Sequence, residues 1–108
     1  MKESVTILGT EYKILLKSEN KDSELKDCSG YCHLAKKRIV IRKSLTKRLM
    51  KAVLRHEIVH AFFYESGLDA NSHASDNAFA RDEEMIDWIA IQGQKLYNAW
   101  REAGCLDD

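Results

Sequence analysis

The octapeptide Arg55-His56-Glu57-Ile58-Val59-His60-Ala61-Phe62 constrains this chain more than any other stretch. It lies in an apolar run that reads as helix, and it places two histidines four residues apart. On a helix such residues sit one above the other on one face, so both imidazoles can converge on one point. Two converging imidazoles are half of a tetrahedral zinc site. Glu57 lies one step around the helix. It can reach a water on the metal without being a ligand, as a general base must. The competing reading is an amphipathic helix whose histidines are hydrogen-bonded core residues.

At 108 residues the chain is expected to form one domain over 1–108. An apolar content of 44% with 31% charged residues fits a soluble globular protein and excludes a disordered one. No apolar run approaches the ~18–20 residues that cross a bilayer, so a membrane partner is not expected. Met1–Thr6 lacks the apolar segment of a signal peptide. Three cysteines, Cys28, Cys32 and Cys105, are an odd number and make no disulfide framework, which points to a reducing, cytoplasmic setting.

The formal net charge of zero conceals two unlike halves. Residues 1–55 hold 14 Lys and Arg against 6 Asp and Glu, and residues 56–108 hold 3 against 11. The basic cluster is Lys36, Lys37, Arg38, Arg42, Lys43, Lys47, Arg48 and Lys51. Such a patch can bind nucleic acid through phosphates. No recognition-helix or aromatic stacking pattern accompanies it, so a solvated face that complements the acidic half is preferred.

The expected fold class is α+β. Val5–Leu8 and Tyr12–Leu16 read as strands about a turn at Gly9-Thr10, and residues 18–27 as a polar loop or short helix. Ser29–Leu34 and Ile39–Ile41 read as a hairpin across a charged turn. Three or four strands thus form a small antiparallel sheet, packed on the motif helix and on a C-terminal helix. The motif helix is expected from about Leu45 to Glu65, capped by Ser44 or Thr46 and stopped by Gly67. Leu49, Ala52, Val53, Val59 and Phe63 are expected on the broad face of the two histidines. Residues 68–80 are turn-rich, and a last helix is expected from Arg81 or Asp82 to Ala103, ended by Gly104.

A zinc hydrolase needs a third protein ligand and leaves the fourth position to water. In the last helix Ile86, Ile89, Ala90, Leu96, Tyr97 and Trp100 form one stripe around Gly93. At about 100° per residue Glu83 lies at the edge of that stripe and Glu84 faces away, so Glu83 is the preferred ligand. Asp87, one turn on, can hold the second ring nitrogen of a ligand histidine. His73 is the alternative third ligand. Cys28 and Cys32-His33 read as free thiols on a strand rather than a second metal site. Trp100 and Phe62-Phe63-Tyr64 are expected in the core, with Trp88 facing away from it.

His-Glu-x-x-His on one helix, then Glu83-x-x-x-Asp87 on the next, resembles the gluzincin arrangement. With 22 residues between His60 and Glu83, the chain is similar to the small cytoplasmic ImmA/IrrE-type metallopeptidases of bacteria and phages. Glu83-Glu84-Met85-Ile86-Asp87-Trp88-Ile89-Ala90 resembles their second motif, Glu-x-x-Ala-Asn-x-Phe-Ala, with Asp87 at the Asn position. The resemblance implies a minimal zincin-like fold of phage or prophage type acting on a protein or peptide. It also implies that Ile39–Ile41 is the edge strand that pairs with extended substrate. Tyr31, Tyr64 and Tyr97 are the candidate oxyanion donors. The implied function is a Zn²⁺-dependent metallopeptidase with ligands His56, His60 and Glu83 and general base Glu57. Two alternatives stand beside it: a zinc-binding regulatory or interaction module without turnover, and a nucleic-acid-binding domain in which the motif is incidental.

Overall fold

The computed structural model describes residues 1–67 and 82–107. The expected loop at 68–80 and the alternative ligand His73 lie outside the described residues. The elements are β1 (Ser4–Ile7), β2 (Thr10–Lys17), a 3₁₀ turn (Ser23–Lys26), β3 (Gly30–His33), β4 (Arg38–Arg42), α1 (Lys47–Glu65) and α2 (Glu83–Ala103). This is the α+β class, with four strands before two helices. Among the described residues no helix is long and apolar enough to cross a membrane.

The sheet order is β1-β2-β4-β3. β1 and β2 form a hairpin with Ile7 opposite Thr10, so its two-residue loop is Leu8-Gly9, one residue earlier than expected. Both loop residues have positive φ, 49° and 88°, as a type I′ turn requires. β3 and β4 pair antiparallel, as the hairpin reading expects. β2 and β4, however, pair parallel, with Leu15 opposite Val40, so the sheet is mixed rather than antiparallel throughout. This also corrects the expected edge strand: β4 is interior, and β3 is the edge. The physical reason is visible in the side chains. Ile39, Val40 and Ile41 are all buried, which only a strand covered on both faces can achieve, whereas β3 is half-buried along its length.

Alternation along the strands divides the residues between two faces. Ile7, Tyr12, Ile14, Ile39 and Ile41 face α1 and form the core with Ala61. Arg42, Val40 and the register-paired Tyr31 face the other way. The 3₁₀ turn covers them there: Leu25 is fully buried, its carbonyl accepts from Arg42 Nη2, and the Tyr31 hydroxyl donates to Asp22.

α1 begins after Thr46, whose hydroxyl accepts from the Leu49 amide, and ends before Gly67 with φ 87°. It has two working faces. Met50, Val53, Leu54, Ile58 and Ala61 pack on the sheet, and the histidines turn toward α2. The expected core face is therefore rotated: Leu49, Phe62 and Tyr64 are exposed. At the last residue of α1, Glu65 accepts from Thr10 Oγ1 (3.2 Å), Tyr12 Oη (2.6 Å) and Lys37 Nζ (2.8 Å). This ties the helix end to β2 and to the β3–β4 turn.

α2 starts after Asp82, whose carboxylate accepts from the Glu84 and Met85 amides, and stops at Gly104. It packs on α1 by its first turns, where Ile86 and Ala90 are buried. The stripe continues along the helix but not into the core: Leu96, Tyr97 and Trp100 are exposed, against expectation.

Candidate metal centre

The two histidines come together because four residues make just over one helical turn. Their ring centroids are 5.0 Å apart. α2 runs alongside and delivers its first-turn carboxylate between them. Glu83 Oε2 is 3.0 Å from His56 Nε2, and Glu83 Oε1 is 3.0 Å from His60 Nε2. One ligand atom from each of His56, His60 and Glu83 lies within 4.8 Å of the other two. These three residues are the group capable of holding a metal ion among the described residues.

The donor set fits a zinc ion. Two donors each about 2.0–2.1 Å from a tetrahedral zinc lie about 3.3 Å apart, close to the spacing seen here. Nitrogen and carboxylate oxygen are the ligands of catalytic rather than closed structural sites. The second nitrogen of His56 is occupied from outside: Asp87 Oδ1 lies 2.6 Å from Nδ1. With a proton on Nδ1 donated to Asp87, the Nε2 lone pair of His56 would be left for a metal ion held with Glu83. Glu83 and Asp87 reach from α2 because they are four residues apart on one face. Glu84, which faces away in the sequence reading, belongs with Asp82, Met85 and Trp88 to a separate groove.

Glu57 is 7% exposed. Burial pushes its carboxyl up to about 7; His56 opposes that shift and Glu83 adds to it. A carboxyl balanced near neutrality can both accept and return a proton. Burial and then the Glu57 carboxylate push the neighbouring Cys32 thiol up to about 12, so it stays protonated. Cys28, Cys32 and Cys105 are all free thiols.

Two grooves meet at the centre. One, of about 420 Å³, runs from Ser29 and Gly30 past His56 and Glu57 to Asp87, Ala90 and Ile91. The other, of about 460 Å³, runs along Gly30–Cys32 past His60 and Glu83. Both share Cys28, Gly30, His56 and Glu57. Gly30 permits this meeting. A Cβ there would lie 2.6 Å from Val53 Cγ1 and 2.8 Å from the Val40 carbonyl oxygen. Only a glycine lets the edge strand approach α1 so closely, and an isolated glycine in a strand is the available sequence signal.

The oxyanion candidates do not gather at the centre. Tyr31 borders the second groove, but its side chain points to the opposite sheet face and its hydroxyl is 2.5 Å from Asp22 Oδ2. The Tyr64 ring lies under Lys37, with Nζ 4.6 Å from its centroid. Tyr97 is exposed in the second half of α2. The basic cluster also disperses. Lys37 is bound to Glu65 and Arg42 to Glu19, at opposite ends of β4.

Residues 10–93 match the SprT-like family, a zinc metallopeptidase-like family. The match spans β2 through the middle of α2 and includes every residue of the centre. No curated protein and no solved structure matches the chain.

Proposed function

The chain belongs to the SprT-like family, and on that premise we propose that it is a zinc-dependent metallopeptidase. The observation that carries this is the convergence of both Nε2 atoms on one Glu83 carboxylate, with buried Glu57 beside them. His56, His60 and Glu83 would hold the ion, and Asp87 would fix the His56 tautomer. When bound, zinc polarises the scissile carbonyl and brings the pKa of its water to about 7. Beside such an ion Glu57 would serve as general base toward the attacking water and as the proton donor to the leaving amine. The burial of Glu57 keeps bulk water from competing for that proton. An extended peptide pairs with β3, an edge strand of the sheet among the described residues, and lies across both grooves, its main chain satisfied by the strand. The free thiols support a reducing, cytoplasmic setting. The likeness of Glu83–Ala90 to the ImmA/IrrE-type second motif supports the same ligand assignment.

A second reading, a zinc-holding module without turnover, is favoured by one observation. The hydroxyl of Tyr31, the candidate oxyanion donor that borders the grooves, is spent on Asp22. The Glu57→Gln variant separates the two readings. Zinc content should stay at the wild-type level while cleavage of an unfolded-protein substrate falls by about 10²–10⁴-fold. A fully active Glu57→Gln protein refutes the role of Glu57, and a wild type that holds zinc but cleaves nothing favours the second reading.

A further inference from the structure

Three residues of α2 attach it to α1 beside and around the two histidines. Glu83 meets both histidines, Asp87 meets His56, and the Ala90 carbonyl accepts from Arg55 Nε at 3.1 Å. Positions 83, 87 and 90 follow the i, i+4, i+7 line of one helix face. On α1 their partners are His60, His56 and Arg55, so the helices run antiparallel. The apolar hold between them is slight, since Ile86 and Ala90 are the buried residues of α2. A helix held so lightly can turn or slide at small cost, and one residue of slip turns it by about 100°. The Glu83 and Asp87 attachments cannot resist this unaided. They depend on the protons or the ion between carboxylate and imidazole. The Arg55 attachment depends on neither. A guanidinium stays charged, and a helical carbonyl has a second lone pair to offer.

We infer that Arg55 is a positioning residue of the metal centre: by holding the Ala90 carbonyl it sets the phase of α2 that presents Glu83 and Asp87 to the histidines. This rests on the metal reading above. Arg55 touches neither ion nor substrate; it acts through the α2 backbone. It preorganises the ligand set before the ion arrives, so its loss is felt as weaker binding.

The test uses two variants of matched length. In R55Q the side-chain amide nitrogen stands as many bonds from Cα as the arginine Nε, so a donor is kept without charge. In R55M the donor is lost and the stem is kept. Zinc affinity is measured by competition with a chromophoric chelator, in the wild-type and E83A backgrounds. R55M should weaken zinc binding about tenfold, the scale of outer-shell partners, and R55Q should recover most of that loss. In E83A, where α2 keeps only Asp87 at the centre, R55M should cost clearly less affinity than in the wild type. Unchanged affinity in R55M, or an equal loss in E83A, overturns the inference. So does an R55M chain that fails to fold by circular dichroism while R55Q folds, because Arg55 is then a general structural residue. A wild type that takes up no zinc overturns the metal reading itself and is seen before any variant is made.

Discussion

Two carboxylates fasten α1 to the rest of the molecule, and they do it in opposite ways. Glu65 at the helix end has a side chain 13% exposed and meets one lysine and two hydroxyls. Its negative charge is balanced and its partners are donors, so the arrangement is complete as it stands. Glu83 is 62% exposed and meets two imidazole nitrogens, with Asp87 behind one of them and Glu57 buried nearby. Three carboxylates face two imidazoles, and among the described residues no lysine or arginine forms an ion pair with any of them. The first cluster is closed and structural. The second lacks positive charge at the point where its nitrogen lone pairs converge, which is what a cation supplies.

The sharpest way to break this comparison is to exchange the two losses. E83A should lower zinc affinity by at least about 100-fold, beyond the usual effect of an outer-shell partner. E65Q should leave zinc affinity within about threefold of wild type and lower the thermal midpoint instead. Equilibrium dialysis with zinc and a thermal melt of each variant decide it; the comparison fails if the effects are reversed. Zinc should also distinguish the clusters by linkage. At a free concentration about 100 times its Kd it adds about 2.7 kcal/mol of stability. E65Q should gain the same increment and E83A almost none, as read from melts with and without a chelator.

In the metal-free protein the two arrangements should differ in the sign of their pH dependence. Lys37 and the two hydroxyls hold the Glu65 carboxyl below its ordinary 4.5, so its contribution is present above that value and lost as pH falls through the lowered one. Burial raises Glu57 from 4.5 to about 7, so its contribution runs the other way and stability falls as pH rises between those values. Denaturant midpoints across pH 3–8 should lose their acid limb in E65Q and their decline toward neutrality in Glu57→Gln. The smallest effect is a control far from both clusters. Leu8 occupies a left-handed position of the β1–β2 turn at φ 49°. Leu8→Asn should stabilise by about 0.5–1 kcal/mol without touching zinc affinity.

Much of the site was legible because it is written in helical arithmetic. The spacing of His56 and His60, the place of Glu57 one step around the helix, and the one-turn separation of Glu83 and Asp87 all follow from residues per turn. The cap at Thr46 and the stops at Gly67 and Gly104 were legible for similar reasons, since each acts on backbone groups within a few residues; Asp82, expected at the start of the last helix, is its N-cap. Strand order was less legible. Ile39–Ile41 next to a polar turn reads as half of a hairpin, and so it is. Yet three consecutive buried β-branched residues also signal an interior strand, and that signal identifies β3, not β4, as the edge. The apolar stripe of α2 misled in another way. Its periodicity is real, but a helix buries only what finds a partner, and beyond Gly93 the side chains stay in solvent.

What the sequence by itself determined is therefore local: a helix with two histidines on one face, a second helix with two acids on one face, and the strands before them. Only the tertiary structure decided that these two faces meet, that the edge strand of the grooves is β3, and that Gly30 lets it come so close. It also decided that Glu65 meets Thr10, Tyr12 and Lys37, and that Arg55 reaches the Ala90 carbonyl. Helical phase and capping depend on neighbours in the chain. Pairing across 31 residues from His56 to Asp87, or across 35 from Arg55 to Ala90, depends on how separate surfaces pack, and no periodicity records it.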